Sequence, residues 1–522
     1  MASGTSLGGI GRVGVVLLAL AGACAVGPNY QRPPVDTPTA FRGGLAKSTG
    51  SIAELPWWKV FRDENLQALI RTALAGNYDL RIAVSRVEQA REFAAQARAG
   101  LFPQLNYGAV AARGKNVTAL NLPSPTGQTG SVFAADFNIS WEIDLWGRIR
   151  RLTEAAQAQF LATEEARRGV TISLIAEVAQ GYLQLLALER ELRIAEETRD
   201  AFAGSLQIFT ERLEGGVASK LETASASALL DSAAAAIPNI ERQIFLQENL
   251  LSVLLGRSPG PISRDGSKFD QQLVTEIPAG LPSALLERRP DIRQAEQQLR
   301  SANAQIGVAE ADCLPQLTLL IEIRTEPARR EGPGRNERRG RILDVFDRGV
   351  RRRAGHAAAT ATGEFQSVVL SLTGLLGQVS AQLANFFTAG ATAWSGAASL
   401  TGPIFHGGQL RARYRQAKAA RDEAVLQYQA AVLRALQEVA DGLLSRQKLA
   451  EERVQQAQAV QAYQEAVKIS LERYRHGNAS YYEVLQAQQQ LYPAQIALVQ
   501  THLNELLALV QLYRALDGGW SQ

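Results

Sequence analysis

Few side chains in this sequence are placed to do covalent chemistry, and Cys24 is the first of them. It follows the small residues Ala21, Gly22 and Ala23, which end an apolar run from Val13 to Leu20 opening just after Arg12. A basic residue, a short apolar run and a small-residue end read as an export signal over residues 1–23. A Cys at that junction resembles a lipobox, in which the Cys becomes the lipidated first residue; the Leu usual three positions earlier is Ala21 here. The expectation is a covalent lipid on Cys24 and no cofactor. Cys313 is then left without a disulfide partner and reads as a small buried residue. His356, His406, His476 and His502 show no metal-ligand spacing and no nucleophile stands with a base, so an enzyme is not expected. Gly9, Gly11 and Gly14 fit G-x-G-x-x-G, but they lie inside the signal and follow no strand, so no phosphate site is read there.

A lipid anchor raises the question of what else meets the membrane. The N-terminal run is too short for a helical span, which needs roughly 20 apolar residues, and no later span is read from the sequence. Any crossing is therefore expected to use strands. Nucleic acid is not an expected partner. The formal charge of +4 matches the excess of eleven Arg over seven Asp and Glu within residues 320–372, and the rest of the chain is neutral.

The chain repeats itself. At an offset of 212, Asp79-Leu80-Arg81 meets Asp291-Ile292-Arg293 and Phe102-Pro103-Gln104-Leu105 meets Leu314-Pro315-Gln316-Leu317. At an offset of 261, Gly147 and Arg150 meet Gly408 and Arg411, Glu211-Arg212 meets Glu472-Arg473, Gly216 meets Gly477, and Ala218-Ser219 meets Ala479-Ser480. Two constant offsets imply two copies of one unit, at 55–281 and 282–522, with a signal at 1–23 and an extended segment at 24–54. Between them the offsets differ by 49 (261 − 212), so the second copy carries an Arg-rich insertion, placed at 320–372.

Within each copy the elements follow from local chemistry. Residues 77–100 are Ala-rich and favour helix, and Pro103 ends it. Phe137, Ile139, Trp141, Ile143 and Leu145 alternate with Asn138, Ser140, Glu142 and Asp144, the period of a strand with one apolar face. The Pro123, Pro125, Gly127 and Gly130 cluster reads as the preceding hairpin tip. From Arg148 to Leu213 there is no Pro, and a helix of that length runs about 100 Å. Leu188, Leu192, Ala195, Phe202, Leu206, Phe209 and Leu213 form a heptad seam, broken once at Arg199. Gly215 and Gly216 turn the chain, a second helix returns to about residue 255, and Gln409 to Tyr474 with a turn at Gly477 repeats the plan.

Two strands per copy make four per chain, too few to close a barrel, and open edges in lipid are prohibitive. Three chains would supply twelve, within the range of outer-membrane barrels, with Trp141, Trp146 and Trp394 suited to an interfacial girdle. The mature start Cys24-Ala25-Val26-Gly27-Pro28-Asn29-Tyr30, the Trp57-Trp58 pair, Pro403-Ile404-Phe405, Gly407-Gly408, Glu438-Val439-Ala440-Asp441, Arg473-Tyr474 and the closing Gly518-Gly519-Trp520 resemble outer-membrane factors of the TolC-like, OprM-type family. The resemblance implies a mainly α fold with a small β part: a two-repeat, long-helix coiled-coil barrel with four strands per chain, closed by a homotrimer into a twelve-stranded transmembrane β-barrel. It also implies a lipid-anchored, outer-membrane efflux channel that extends into the periplasm and works with a periplasmic adaptor protein and, indirectly, an inner-membrane pump.

By the same resemblance the adaptor docks at the helical turns, mapping to Gly215, Gly216, Ala218 and Ser219 and to Gly477, Ala479 and Ser480. Short side chains there also permit close backbone approach. The family's aperture Asp falls at Gln486, which carries no charge; Glu222 and Glu483 stand one turn nearer the tips. Phe137, Ile139, Trp141 and Ile143 are the expected lipid-facing strand residues. Eleven arginines are costly at bilayer depth, so 320–372 is expected outside lipid, as an extracellular loop or as an aberrant segment that interrupts the barrel wall. A protein-secretion duct and a structural coiled-coil surface protein are the competing readings.

Overall fold

The structure, a computed structural model, describes residues 25–42, 63–115, 129–264, 269, 285–323, 370–380, 392–401 and 403–517. Cys24, Trp57, Trp58, the 116–128 hairpin tip, Gly518 to Trp520 and most of the Arg-rich insertion lie outside them.

Asp63 starts the first helix, α1 (Glu64–Gly76), by accepting from the N–H groups of Asn65 and Leu66 at 2.8 and 3.1 Å, satisfying donors a helix start leaves unpaired. Asn77 separates α1 from α2 (Tyr78–Ala99) and holds three elements. Its N–H donates to Ala73, its side-chain oxygen accepts from Leu80 N–H, and its amide donates to Leu254 at the end of α4 (Lys220–Leu254). Ahead of α4 runs α3 (Arg148–Glu214), 67 residues long. The second half contains α5 (Leu285–Arg288), α6 (Pro290–Ala311), α7 (Gln409–Arg475) and α8 (Tyr481–Ala515). Pro290 opens α6, where a missing N–H costs nothing. The 67 residues of α7 equal α3, and the 35 of α8 equal α4, each set 261 residues on. Pro238 and Pro493 sit inside α4 and α8 without ending either helix.

The strands are β1 (Gln104–Lys115), β2 (Thr129–Ile143), β3 (Gln316–Ile323), β4 (Leu370–Ser380) and β5 (Thr392–Thr401), in one sheet of that order. β1 and β2 form an antiparallel hairpin running from Gln104↔Ser140 to Lys115↔Thr129. Two expectations are corrected here. Gly130 belongs to β2 rather than to the tip. The expected four strands become five among the described residues, because the insertion ends on Leu370-Ser371-Leu372, which is like the Leu317-Thr318-Leu319 that precedes it, and each segment has the apolar and β-favouring residues a strand needs.

The chain divides into two compact units: 1–31, 91–160 and 298–424 in one, 32–90, 161–297 and 425–522 in the other. The first holds the sheet. In the second, Leu66, Ile70, Tyr182, Leu185, Leu251, Leu506 and Leu512 are all fully buried, and the Tyr182 hydroxyl reaches Asp63 at 3.3 Å. One stretch of α3 is apolar and long enough to cross a membrane, against the expectation that no later segment supplies a span, but 67% of it is buried inside the protein. Its hydrophobicity is explained by core packing, as Val178, Ala179, Leu186 and Ala187 are sequestered from solvent.

Candidate functional site

The two helical turns expected to matter are built alike. At the first, the N–H groups of Val217 and Ala218 both donate to Arg212 O, and Gly216 takes φ +74°, a left-handed value that a side chain resists. At the second, Asn478 N–H donates to Arg473 O and Gly477 has φ +75°. Glu222 closes the first turn by accepting from Ser219 N–H at 3.3 Å, and Glu483 closes the second through Ser480 N–H at 3.2 Å. Each is the reciprocal half of a capping box. Gly215, Gly216, Ser219, Gly477 and Ser480 are exposed, and Ala218 and Ala479 half-buried.

Between the turns the likeness ends. Phe209, Tyr474 and Val484 are buried together with Ala226 and Leu485. The Phe209 and Tyr474 rings meet edge to face at 5.1 Å, and Tyr481 approaches Phe209 at 6.3 Å. Arg212 donates to Tyr474 O at 2.8 Å while its guanidinium lies 4.4 Å from the Tyr474 ring centre. The Tyr474 hydroxyl donates to Glu222 Oε2 at 3.2 Å. Burial, more than the opposing pull of Arg212, raises the Tyr474 pKa and keeps that hydroxyl a donor. Deeper in, buried Gln488 donates to Ser205 at 2.8 Å. Glu222 is thus tied to the other copy of the repeat. Glu483 is exposed and, among the described residues, bonds its own turn and faces Arg473 at 3.6 Å. Gln486 is exposed and joins neither set.

A second constellation holds the start of the described chain. Arg151, in the first turn of α3 and almost fully buried, donates to the carbonyls of Val26 and Gly27 and to Asn29 Oδ1 at 3.1, 3.0 and 2.9 Å. Val26 N–H donates to Trp146 O, and Asn303 to Pro28 O. Gly27 passes so close to Gly307 that a side-chain carbon on it would lie 2.4 Å from the Gly307 Cα. The residues next to Cys24 are therefore strapped to the strand-to-helix junction. Sequence reasoning missed Arg151; its only signal was a basic residue where an anionic group favours the helix start.

On β2, Phe137 is exposed and Ile139, Trp141 and Ile143 are half-buried; the Trp141 indole donates to Leu101 O at 3.0 Å. Cys313 is half-buried rather than buried, its thiol pointing to Ala309 O. Glu438 pairs with buried Arg289, which also grips Asp291 and Ala515 O, so this motif fastens helices together.

Residues 69–257 and 281–518 match the family described as outer membrane efflux protein. TtgC of Pseudomonas putida, described as a probable efflux pump outer membrane protein, is 32% identical over 508 residues, 96% of this chain and 93% of that one. The solvent efflux pump outer membrane protein SrpC of Pseudomonas putida is 33% identical over 512 residues, 97% of each chain. Among solved structures, the open state of the Neisseria gonorrhoeae MtrE outer membrane channel has a TM-score of 0.77 at 28% identity, over 95% of this chain and 98% of that one. With both halves matched and the long helices and sheet in place, the chain belongs to the outer membrane efflux protein family.

Proposed function

We propose that this protein is the outer-membrane channel of a tripartite efflux system, conducting small molecules passively from a periplasmic adaptor and an inner-membrane pump to the exterior. The observation that carries the reading is the match of nearly the whole chain to efflux pump outer membrane proteins. A homotrimer is supported by apolar side chains that one chain leaves uncovered, among them Phe93, Phe245 and Leu433. Further copies of the same chain would cover them. Twelve strands follow if each chain gives four to the wall, with Phe137, Ile139, Trp141 and Ile143 toward lipid. The repeats at 55–281 and 282–522 then contribute equally.

The turns at Gly215 to Ser219 and Gly477 to Ser480 are the proposed adaptor-docking tips, flanked by exposed Val217, Leu221 and Tyr482. Glu222, Glu483 and Gln486 line the proposed aperture, with charge from the two glutamates alone. A lipid on Cys24 extends the strap at Val26 to Asn29 into the outer membrane. Deleting the gene tests the reading: efflux predicts increased retention of a fluorescent drug and restoration by the plasmid-borne chain. Unchanged drug and metal tolerance with loss of an exported protein overturns it in favour of secretion.

A further inference from the structure

The edge of β5 is claimed twice. Ala397, Gly396 and Ser395 are in register with Leu320, Ile321 and Glu322 of β3, and the same three residues are in register with Thr373, Gly374 and Leu375 of β4. The two claimants differ by a constant: 373 less 320, 374 less 321 and 375 less 322 are each 53. Where the strands meet each other, Leu317↔Leu370, Thr318↔Ser371 and Leu319↔Leu372 repeat that difference, with a one-residue shift only at Ile323↔Leu375. The edge of β2 agrees. β3 pairs along it as far as Ile323↔Phe137, and at the next position, Asp136, the partner becomes Gly377, continuing to Phe133↔Ser380. Gly377 is again 53 beyond the residue that would follow Ile323.

A strand edge offers each backbone N–H and C=O one ladder partner at a time. Two segments in one register on the same residues of β5, with β4 continuing that register along β2 where β3 ends, therefore cannot both be satisfied on β5, and a shared register is the condition under which pairings exchange. We propose that β3 and β4 are alternative occupants of a single strand position between β2 and β5, the chain carrying one strand twice with the 53 residues from Leu320 to Leu372 set into it. Joining Leu319 to Thr373 yields one strand that meets β2 without a gap from Ile143 to Phe133 and β5 from Thr401 to Thr392. Neither β3 nor β4 alone has all of these pairings. The insertion thus duplicates a wall strand rather than adding a fifth.

Cross-linking in the full-length chain, in a Cys313→Ser background, reads this directly. In Leu320→Cys/Ala397→Cys and Thr373→Cys/Ala397→Cys chains, a disulfide forms in part of the population of each. With all three substitutions, tryptic mapping finds the thiol at 397 divided between 320 and 373. The Ser140→Cys/Thr373→Cys pair, which requires β4 to reach β2 where β3 sits, links partially in the full chain and completely once 320–372 is deleted. Thiol 397 linking to one position only, no link between 140 and 373 in the full chain, or a deletion variant that does not fold would each overturn the proposal. These cross-links report strand pairing alone, so they can fail while the efflux reading stands, and the reverse.

Discussion

Replacing Tyr474 by Phe isolates one bond between the two copies of the repeat. The ring stays, so the edge-to-face contact with Phe209 and the Arg212 guanidinium over the ring are largely kept, and the Arg212 bond is to the Tyr474 backbone carbonyl. Only the hydroxyl bond to Glu222 at 3.2 Å goes. A hydrogen bond to a charged group is worth about 1.5–3 kcal/mol. Glu222 is half-exposed and water replaces part of it, which leaves about 1 kcal/mol, or roughly a fivefold change in an opening equilibrium. Hydrogen exchange over 205–230 and 470–488 measures that equilibrium in the intact protein. Tyr474→Phe is expected to speed exchange there roughly fivefold; Glu222→Gln, whose amide oxygen still accepts from the hydroxyl, is expected to speed it less in the Tyr474 chain and to add little in the Tyr474→Phe chain. Glu483→Gln serves as the contrast, since its exposed pair with Arg473 at 3.6 Å is worth a few tenths of a kcal/mol at most. Additive effects of the first two substitutions, or an equal response to Glu483→Gln, would refute a directional link between the tips.

Arg151→Gln removes the donors that hold Val26, Gly27 and Asn29, and exchange of residues 25–31 is expected to rise at least about tenfold, given roughly 1.5 kcal/mol or more for a charged donor; unchanged protection would mean the strap is held elsewhere. Glu191 has its pKa raised by burial, against the hydrogen bond from Gln500. Folding therefore favours its protonated form, and that contribution is present below the ordinary carboxylate pKa and lost as pH rises through the folded value. Glu191→Gln should accordingly raise the melting temperature at pH 7.5, with the gain fading toward pH 4; a gain that grows on acidification contradicts this. The Cys313 thiol is pushed up by burial first and then by Asp312 and Glu310. Maleimide labelling at pH 7 should be slower than for a free thiol and faster in Asp312→Asn, and an equal rate in both chains removes the carboxylate from the account.

The sequence exposed the repeat and the structure shows where it stops being symmetrical. Positions that match at the offset of 261, such as Gly216 with Gly477 and Ser219 with Ser480, obey local rules of turn and cap, and local rules can be read from one chain. The apolar stretch of α3 could not be assigned as core or span from composition, because burial on all sides and immersion in lipid select the same residues. The role of Arg151 was not legible because, apart from its local pair with Glu154, its partners lie more than a hundred residues away and two of them are backbone carbonyls, which carry no sequence signal. Several contacts that join the copies at the tips occupy mismatched positions, although Arg212, which grips the Tyr474 carbonyl, has its match in Arg473. Tyr474 stands where the first copy has Leu213, Phe209 where the second has Ser470, and Ser205 and Gln488 where their counterparts are Ala466 and Ser227. Mirror images of the Tyr474 to Glu222 and Gln488 to Ser205 bonds are therefore chemically impossible: Leu213 and Ala466 have no hydrogen-bonding side chain. At these tips the shared residues build each hairpin, and residues that differ, together with the shared Arg212, tie one hairpin to the other.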